Sequence, residues 1–175
     1  LVISHFSIIA RADNGRNLFP AHDVGTYPVA NGQTYGGDMP VEESGNMLVL
    51  ATAIAIVDGN ADYAAQHWEV LTTWANYLLK EGLDPKNQLC TDDFAGHFAH
   101  NTNLSIKAIM GVAGYGKLAE MLGKADIARQ YTEVAREMAA KWVKMANDGD
   151  HYRLTFDKPG TWSQNIIWSG IACWA

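Results

Sequence analysis

A chain of 175 residues with 48% hydrophobic and 18% charged side chains has enough material for one core of ordinary size and carries less charge than the usual quarter, which points to a surface that is largely covered. Its net charge of −6 comes without an acidic or basic run, so no electrostatic footprint speaks for nucleic acid or an anionic membrane, and neither partner is expected. No run reaches the roughly 18 consecutive apolar residues of a membrane span, and no charged start leads into an apolar stretch with a cleavage site. Cys90 and Cys173 are too few for a disulfide framework, and neither sits in a CxxC pair. Leu1 in place of Met, and the uncapped apolar run 165–175 (NIIWSGIACWA), give both ends the look of cuts.

In chain order, residues 2–9 read as a short strand and are followed by a long polar loop. Residues 42–58 then read as a helix that is apolar nearly all round after Asn46 (MLVLATAIAIV), the mark of an element buried on every side. Residues 61–80 place Ala64, Trp68, Leu71, Ala75 and Leu78 on one stripe, as expected of an amphipathic helix on the outside of a core. A second loop leads to another inner helix over 104–122. A second outer helix over 125–146 follows, with Ile127, Tyr131, Val134, Met138, Trp142 and Met145 on its stripe. Gly59 and Gly123 mark helix ends that need positive φ, while Gly82 with Pro85 stops the first outer helix. Residues 151–156 alternate Tyr152, Leu154 and Phe156 with polar neighbours, a short strand at most. The sequon Asn103-Leu104-Ser105 falls at a buried helix start and reads as chance.

An internal repeat ties these elements together. Aligning Gly59 with Gly123 brings Ala61, Asp62, Ala64, Gln66, Glu69 and Val70 onto Ala125, Asp126, Ala128, Gln130, Glu133 and Val134, identical residue types throughout. One supersecondary unit is repeated, and each copy needs neighbours to bury its apolar flanks. The predicted class is therefore all-α: helical hairpins of an (α/α)6 toroid, with minor short strands. Hairpins are expected at about 42–81 and 103–146, with a third begun at about 161–175. All of 1–175 would be part of one toroid domain, an incomplete segment prone to self-association.

Two loops concentrate polar, aromatic and glycine residues: 19–46 (FPAHDVGTYPVANGQTYGGDMPVEESGN) and 89–103 (LCTDDFAGHFAHNTN). Each leads into an inner helix, so both should open on one rim, where long loops are disproportionately functional. Glu42 and Glu43, just after Pro40, are either simple caps favoured by the helix dipole or a general base or acid tuned by partial burial. Asn46 lies one turn on and could orient substrate. Asp92 and Asp93 are either Asx-turn residues or the second acid of a hydrolytic pair. An inverting glycosidase holds such a pair roughly 6.5 to 9.5 Å apart to admit water. His22, Asp23, Tyr27, Asp38, His97 and Asn101 in the same loops are candidates for substrate binding. His-Asp and His-x-x-His spacings match no metal motif, so neither metal nor cofactor is expected. No GxSxG elbow, GxGxxG or P-loop occurs.

The strings His22-Asp23-Val24-Gly25-Thr26-Tyr27-Pro28, Met39-Pro40-Val41-Glu42-Glu43-Ser44-Gly45-Asn46-Met47-Leu48, Thr91-Asp92-Asp93-Phe94-Ala95-Gly96, Asn101-Thr102-Asn103-Leu104 and Thr161-Trp162-Ser163-Gln164-Asn165, in this order, resemble the central six-hairpin domain of the glutaminase A family across nearly the whole chain. The resemblance implies a large extracellular or periplasmic bacterial or fungal protein that hydrolyses the side-chain amide of L-glutamine. It also implies a scaffold similar to six-hairpin glycosidases and packing against further hairpins and flanking domains. It transfers no catalytic role to any residue. The leading expectation is a hydrolase in which Glu42 or Glu43 activates water and Asp92 or Asp93 protonates the leaving ammonia, with Asn46, His22 and Tyr27 positioning glutamine. A glycoside hydrolase using Tyr27, Tyr35, Phe94, Phe98 and Trp162 against sugar rings is the second reading. A non-catalytic binding or structural module is the third.

Overall fold

The computed structural model describes residues 18–90 and 96–163. Five helices occur among them: α1 Pro40–Asp58, α2 Asp62–Gln66, α3 Trp68–Glu81, α4 Thr102–Met121 and α5 Ala125–Ala146. The strand expected at 2–9 and the helix expected to begin a third hairpin at 165–175 lie outside the described residues.

The helix ends follow from local chemistry. Pro40 opens α1, where its missing N–H is one of the donors a first turn leaves unsatisfied anyway. The next donor, Val41 N–H, is met by the buried Gln88 side-chain oxygen at 3.0 Å, which ties this end to the loop beyond α3. Asn101 caps α4, accepting from Asn103 N–H at 2.9 Å and Leu104 N–H at 3.2 Å. Gly59 (φ 68°) and Gly123 (φ 71°) close α1 and α4 in the left-handed conformation their repeat positions require.

The first outer helix departs from expectation, because 61–80 is broken at His67. His67 takes φ −119° and ψ 18°, and its N–H tightens onto Ala64 O. Packing fixes the break: Trp68 stacks on Tyr115 of α4 with ring centroids 4.6 Å apart, while Tyr63 meets the edge of the His67 ring.

Close approaches define the packing. Gly45 and Leu48 of α1 meet Gly111 of α4, and Thr52 meets Gly114. The positions rise together along both chains, so the two inner helices run parallel. Against α4, α3 pairs Gly82 with Ala108, Leu78 with Gly111 and Thr72 with Tyr115, and therefore runs antiparallel. So does α5, which sets Thr132 against Gly116 while the Trp142 indole N–H donates to Thr102 O at 3.0 Å. Leu48, Leu71, Trp74, Leu78, Leu104, Val112, Tyr115 and Leu118 are sealed between these helices. Among the described helices α1 alone is long and apolar enough by composition to cross a bilayer, and half of that stretch is buried inside the protein, as in a core helix.

Parallel inner helices put both of their starts at one end of the molecule. The turns at the other end are short, at residues 59–61 and 122–124. At the first end residues 18–39, 82–90, 96–101 and 147–163 gather. Gln88 and Phe98 exchange backbone hydrogen bonds, and Thr102 N–H and Phe156 N–H reach Leu154 O and His100 O across the Asn101↔Thr155 bridge. The strand expected over 151–156 is reduced to isolated bridges at Tyr152 and Thr155, because the segment curls around Asp148. That carboxylate takes the Arg153 guanidinium at 3.0 Å and Gly160 N–H at 2.5 Å.

Candidate functional site

Glu43 sits on the first turn of α1, half-buried, at the end where the long loops gather. Removal from water pushes its carboxyl above the ordinary glutamate range, and the adjacent charge of Glu42 adds to this. Three groups oppose the rise. Asn46, one turn on, offers its amide to Glu43 Oε2 at 3.4 Å, and the fields of His22 and Lys107 favour the ionised form. A half-buried carboxyl raised in this way and hydrogen-bonded by an amide is suited to proton transfer.

The loop that brings His22 to this place is built around one carboxylate. Asp23 accepts from the backbone N–H groups of Gly25, Thr34 and Tyr35 at 2.9, 3.0 and 2.9 Å and from the Thr34 hydroxyl at 3.1 Å. These amides, Tyr35 first, hold the Asp23 carboxyl well below the usual range. The closed loop carries the His22 ring stacked on Tyr35 at 4.3 Å, with Nδ1 3.3 Å from Asp23 Oδ2. Gly25 is obligatory here: its φ is 119°, and a Cβ would fall 2.2 Å from Asn31 Oδ1.

The other expected site residues are placed as follows. Glu42 is 2% exposed and ion-paired with Lys107 of α4, itself 3% exposed, inside the helix packing. Asn101 is 2% exposed and engaged inside the protein: its oxygen caps α4 and its amide donates to the buried Cys90 sulfur at 3.4 Å. Tyr27 is 94% exposed on the outer tip of its loop. Asp38 is exposed and accepts from Gln33 Nε2 at 3.2 Å, and His97 is exposed in the loop before α4. Asp92, Asp93 and Phe94 lie outside the described residues.

Lys107 and Gln88 went unread in the sequence. Lys107 had a signal, as one of two cations, with Lys117, within the apolar run 104–122, whereas a loop glutamine carries none. A second polar cluster was also missed: Asp148, Arg153 and His151, with the His151 ring flat against Trp162 at 4.0 Å. Among the described residues no group of three or more His, Cys, Asp or Glu side chains is placed to hold a metal ion.

Parallel buried helices, antiparallel outer helices and one rim carrying a half-buried carboxyl define an all-α helical-hairpin protein with a loop-built site. The sequence model of the glutaminase A six helical-hairpin domain matches residues 4–169, and the chain belongs to that family. It is 39% identical over 153 residues to glutaminase A of Aspergillus oryzae, an alignment covering 82% of this chain and 22% of that protein. It is 29% identical over 154 residues to a probable glutaminase of Arthroderma benhamiae, covering 86% of this chain and 17% of that protein. The chain thus spans about a fifth of the length of these curated relatives.

Proposed function

We propose that this chain contributes the catalytic rim of a glutaminase-like amidohydrolase, with Glu43 as its general base. The observation that carries the reading is the setting of Glu43: half-buried, raised by desolvation, hydrogen-bonded by the Asn46 amide, and mounted where the loops converge. The names of its relatives supply the substrate class, a side-chain amide. Ionised Glu43 takes a proton from water as the oxygen adds to the amide carbon. A second acid, for which Asp92 and Asp93 remain the candidates, gives a proton to nitrogen, the C–N bond breaks, and ammonia and a carboxylate leave. Asn46 and the His22 ring on its Asp23-built loop hold the substrate amide against Glu43.

Ammonia release from glutamine tests this directly. Glu43→Gln is expected to lower kcat by about 10²–10⁴-fold, the usual contribution of a positioned base, with the fold intact by circular dichroism. Equal rates in the two proteins sink the assignment. The rate of the unaltered protein should rise with pH through the raised pKa of Glu43, because only the ionised form accepts a proton.

Glycoside hydrolysis is the second reading, favoured by Tyr27, Tyr35 and Trp162 standing exposed on loops of the same end. Turnover of a glycoside panel without ammonia release from glutamine would select it.

A further inference from the structure

We propose that Asn31 is a site of spontaneous deamidation, and that the reaction loosens the loop that carries His22. The proposal is independent of the reading of Glu43 as a base.

An asparagine loses its side-chain amide when the nitrogen of the following peptide attacks its Cγ. Glycine in the next position favours the attack, because it has no Cβ to shield that nitrogen and takes backbone angles that other residues avoid. The sequence holds two Asn-Gly pairs, Asn14-Gly15 and Asn31-Gly32. The first lies outside the described residues. At the second both residues are exposed, and the Asn31 side chain makes no hydrogen bond among the described residues. Gly32 has φ 104°, and apart from its chain neighbours no atom lies within 4 Å of where a Cβ would stand. Its N–H donates to Val24 O at 3.2 Å, and the attack proceeds through local openings that break this bond. Every other described asparagine precedes a residue with a side chain, and Asn46, Asn60, Asn76 and Asn101 also engage their own side chains in hydrogen bonds.

In the reaction Gly32 N bonds to Asn31 Cγ and gives its proton to solvent. The Cγ–Nδ2 bond breaks, ammonia leaves, and a cyclic imide remains. Water then opens the ring at either carbonyl. One opening yields aspartate; the other yields isoaspartate, in which the main chain runs through the former side chain and is longer by a methylene.

Both products disturb the turn around Asp23. Asn31 packs on Gly25, where an added Cβ would stand 2.2 Å from Asn31 Oδ1, and Gly25 N–H is one of the donors that hold the Asp23 carboxylate, at 2.9 Å. A carboxylate at position 31 sets a second negative charge beside that donor, in repulsion with Asp23. Isoaspartate lengthens the main chain just before Gly32, whose N–H closes the loop on Val24 O. Loss of the Asp23 hub frees the amides of Thr34 and Tyr35, and with Tyr35 the ring on which His22 is stacked at 4.3 Å.

The test is to incubate the folded protein at mildly alkaline pH and follow its digests by mass spectrometry, with an isoaspartate-specific methyltransferase as a second detector. The amide of Asn31 is expected to be lost before that of any other described asparagine, with aspartate and isoaspartate accumulating together. In the aged protein, amide exchange at Gly25, Thr34 and Tyr35 should rise by about tenfold or more while α1 and α4 keep their protection. Asn31→Ser cannot form the imide and should age without either change. Asn31 still intact in the folded protein when the same residue of the urea-unfolded chain has reacted overturns the proposal, as does earlier loss at another described asparagine. Conversion at Asn31 with unaltered exchange at these amides overturns the loosening of the loop, and so does an equal rise in aged Asn31→Ser, because the change would then arise elsewhere.

Discussion

Burial of Glu43 has a cost in stability that can be measured. Its folded-state pKa lies above the ordinary value of 4.5 because desolvation disfavours the charged form. The sign follows from linkage: below that ordinary value the group is protonated in both states and costs nothing, and as pH rises through the folded pKa the unfolded chain gains by ionising first. Glu43→Gln removes this loss. Urea unfolding should therefore show the variant gaining stability relative to the unaltered protein as pH rises through and above the ordinary glutamate range. A constant difference across that range would show that Glu43 is not perturbed. Asp23 has the opposite sign, its carboxyl being held low by the amides of Tyr35, Thr34 and Gly25. Its contribution is complete above the ordinary aspartate range and fades as pH falls. Asp23→Ala should release the loop, raising amide exchange at Thr34 and Tyr35 by about tenfold or more while α1 and α4 stay protected. Which of Glu42 and Glu43 is sealed inside the helix packing was not legible in the sequence. Adjacent residues point about 100° apart on a helix, and Lys107, which takes one of them, lies far along the chain.

At the scale of elements, the inner and outer characters of the helices were legible because burial all round and burial on one stripe leave different periodicities. Gly59 and Gly123 were legible as well, since repeating Gly at a helix end has a backbone reason. The interruption at His67 was not. Residues 61–80 carry an unbroken helical stripe, and only the stacking of Trp68 on Tyr115 shows why the turn there is remade. Glycines inside α4 were likewise silent in the sequence and prove to be contact points. A Cβ on Gly114 would stand 2.5 Å from Thr52 Oγ1 and 3.4 Å from its Cβ. Gly114→Ala should accordingly cost about 1–3 kcal/mol of overpacking, exceeding the gain of up to about 1 kcal/mol that Ala brings to a helix interior. Adding Thr52→Ala removes the clashing oxygen, so the double variant should unfold at higher urea than Gly114→Ala alone. If the two losses simply add, the α1–α4 approach is looser than these distances indicate.

For the molecule as a whole, the single rim was legible because each long loop precedes an inner helix and inner helices of successive hairpins run parallel. The pairing partners that build the rim were not legible, since Gln88 to Val41 and His100 to Phe156 join segments with no shared pattern. A site made of several loops predicts a global response to its ligand. Binding to the folded state alone stabilises by about 2.7 kcal/mol at a ligand concentration 100 times Kd. For a chain of this size each kcal/mol moves the melting temperature by about 2–4 °C. Saturating glutamine or its product glutamate should thus raise the melting temperature by roughly 5–10 °C, and the rise should shrink sharply in Glu43→Gln or Asn46→Ala if these side chains hold the amide. Simple glycosides should leave the transition in place. A shift with glycosides and none with glutamine would move the chain to the glycan-binding reading. A shift with glutamine that survives both substitutions would place the binding site elsewhere than the first turn of α1.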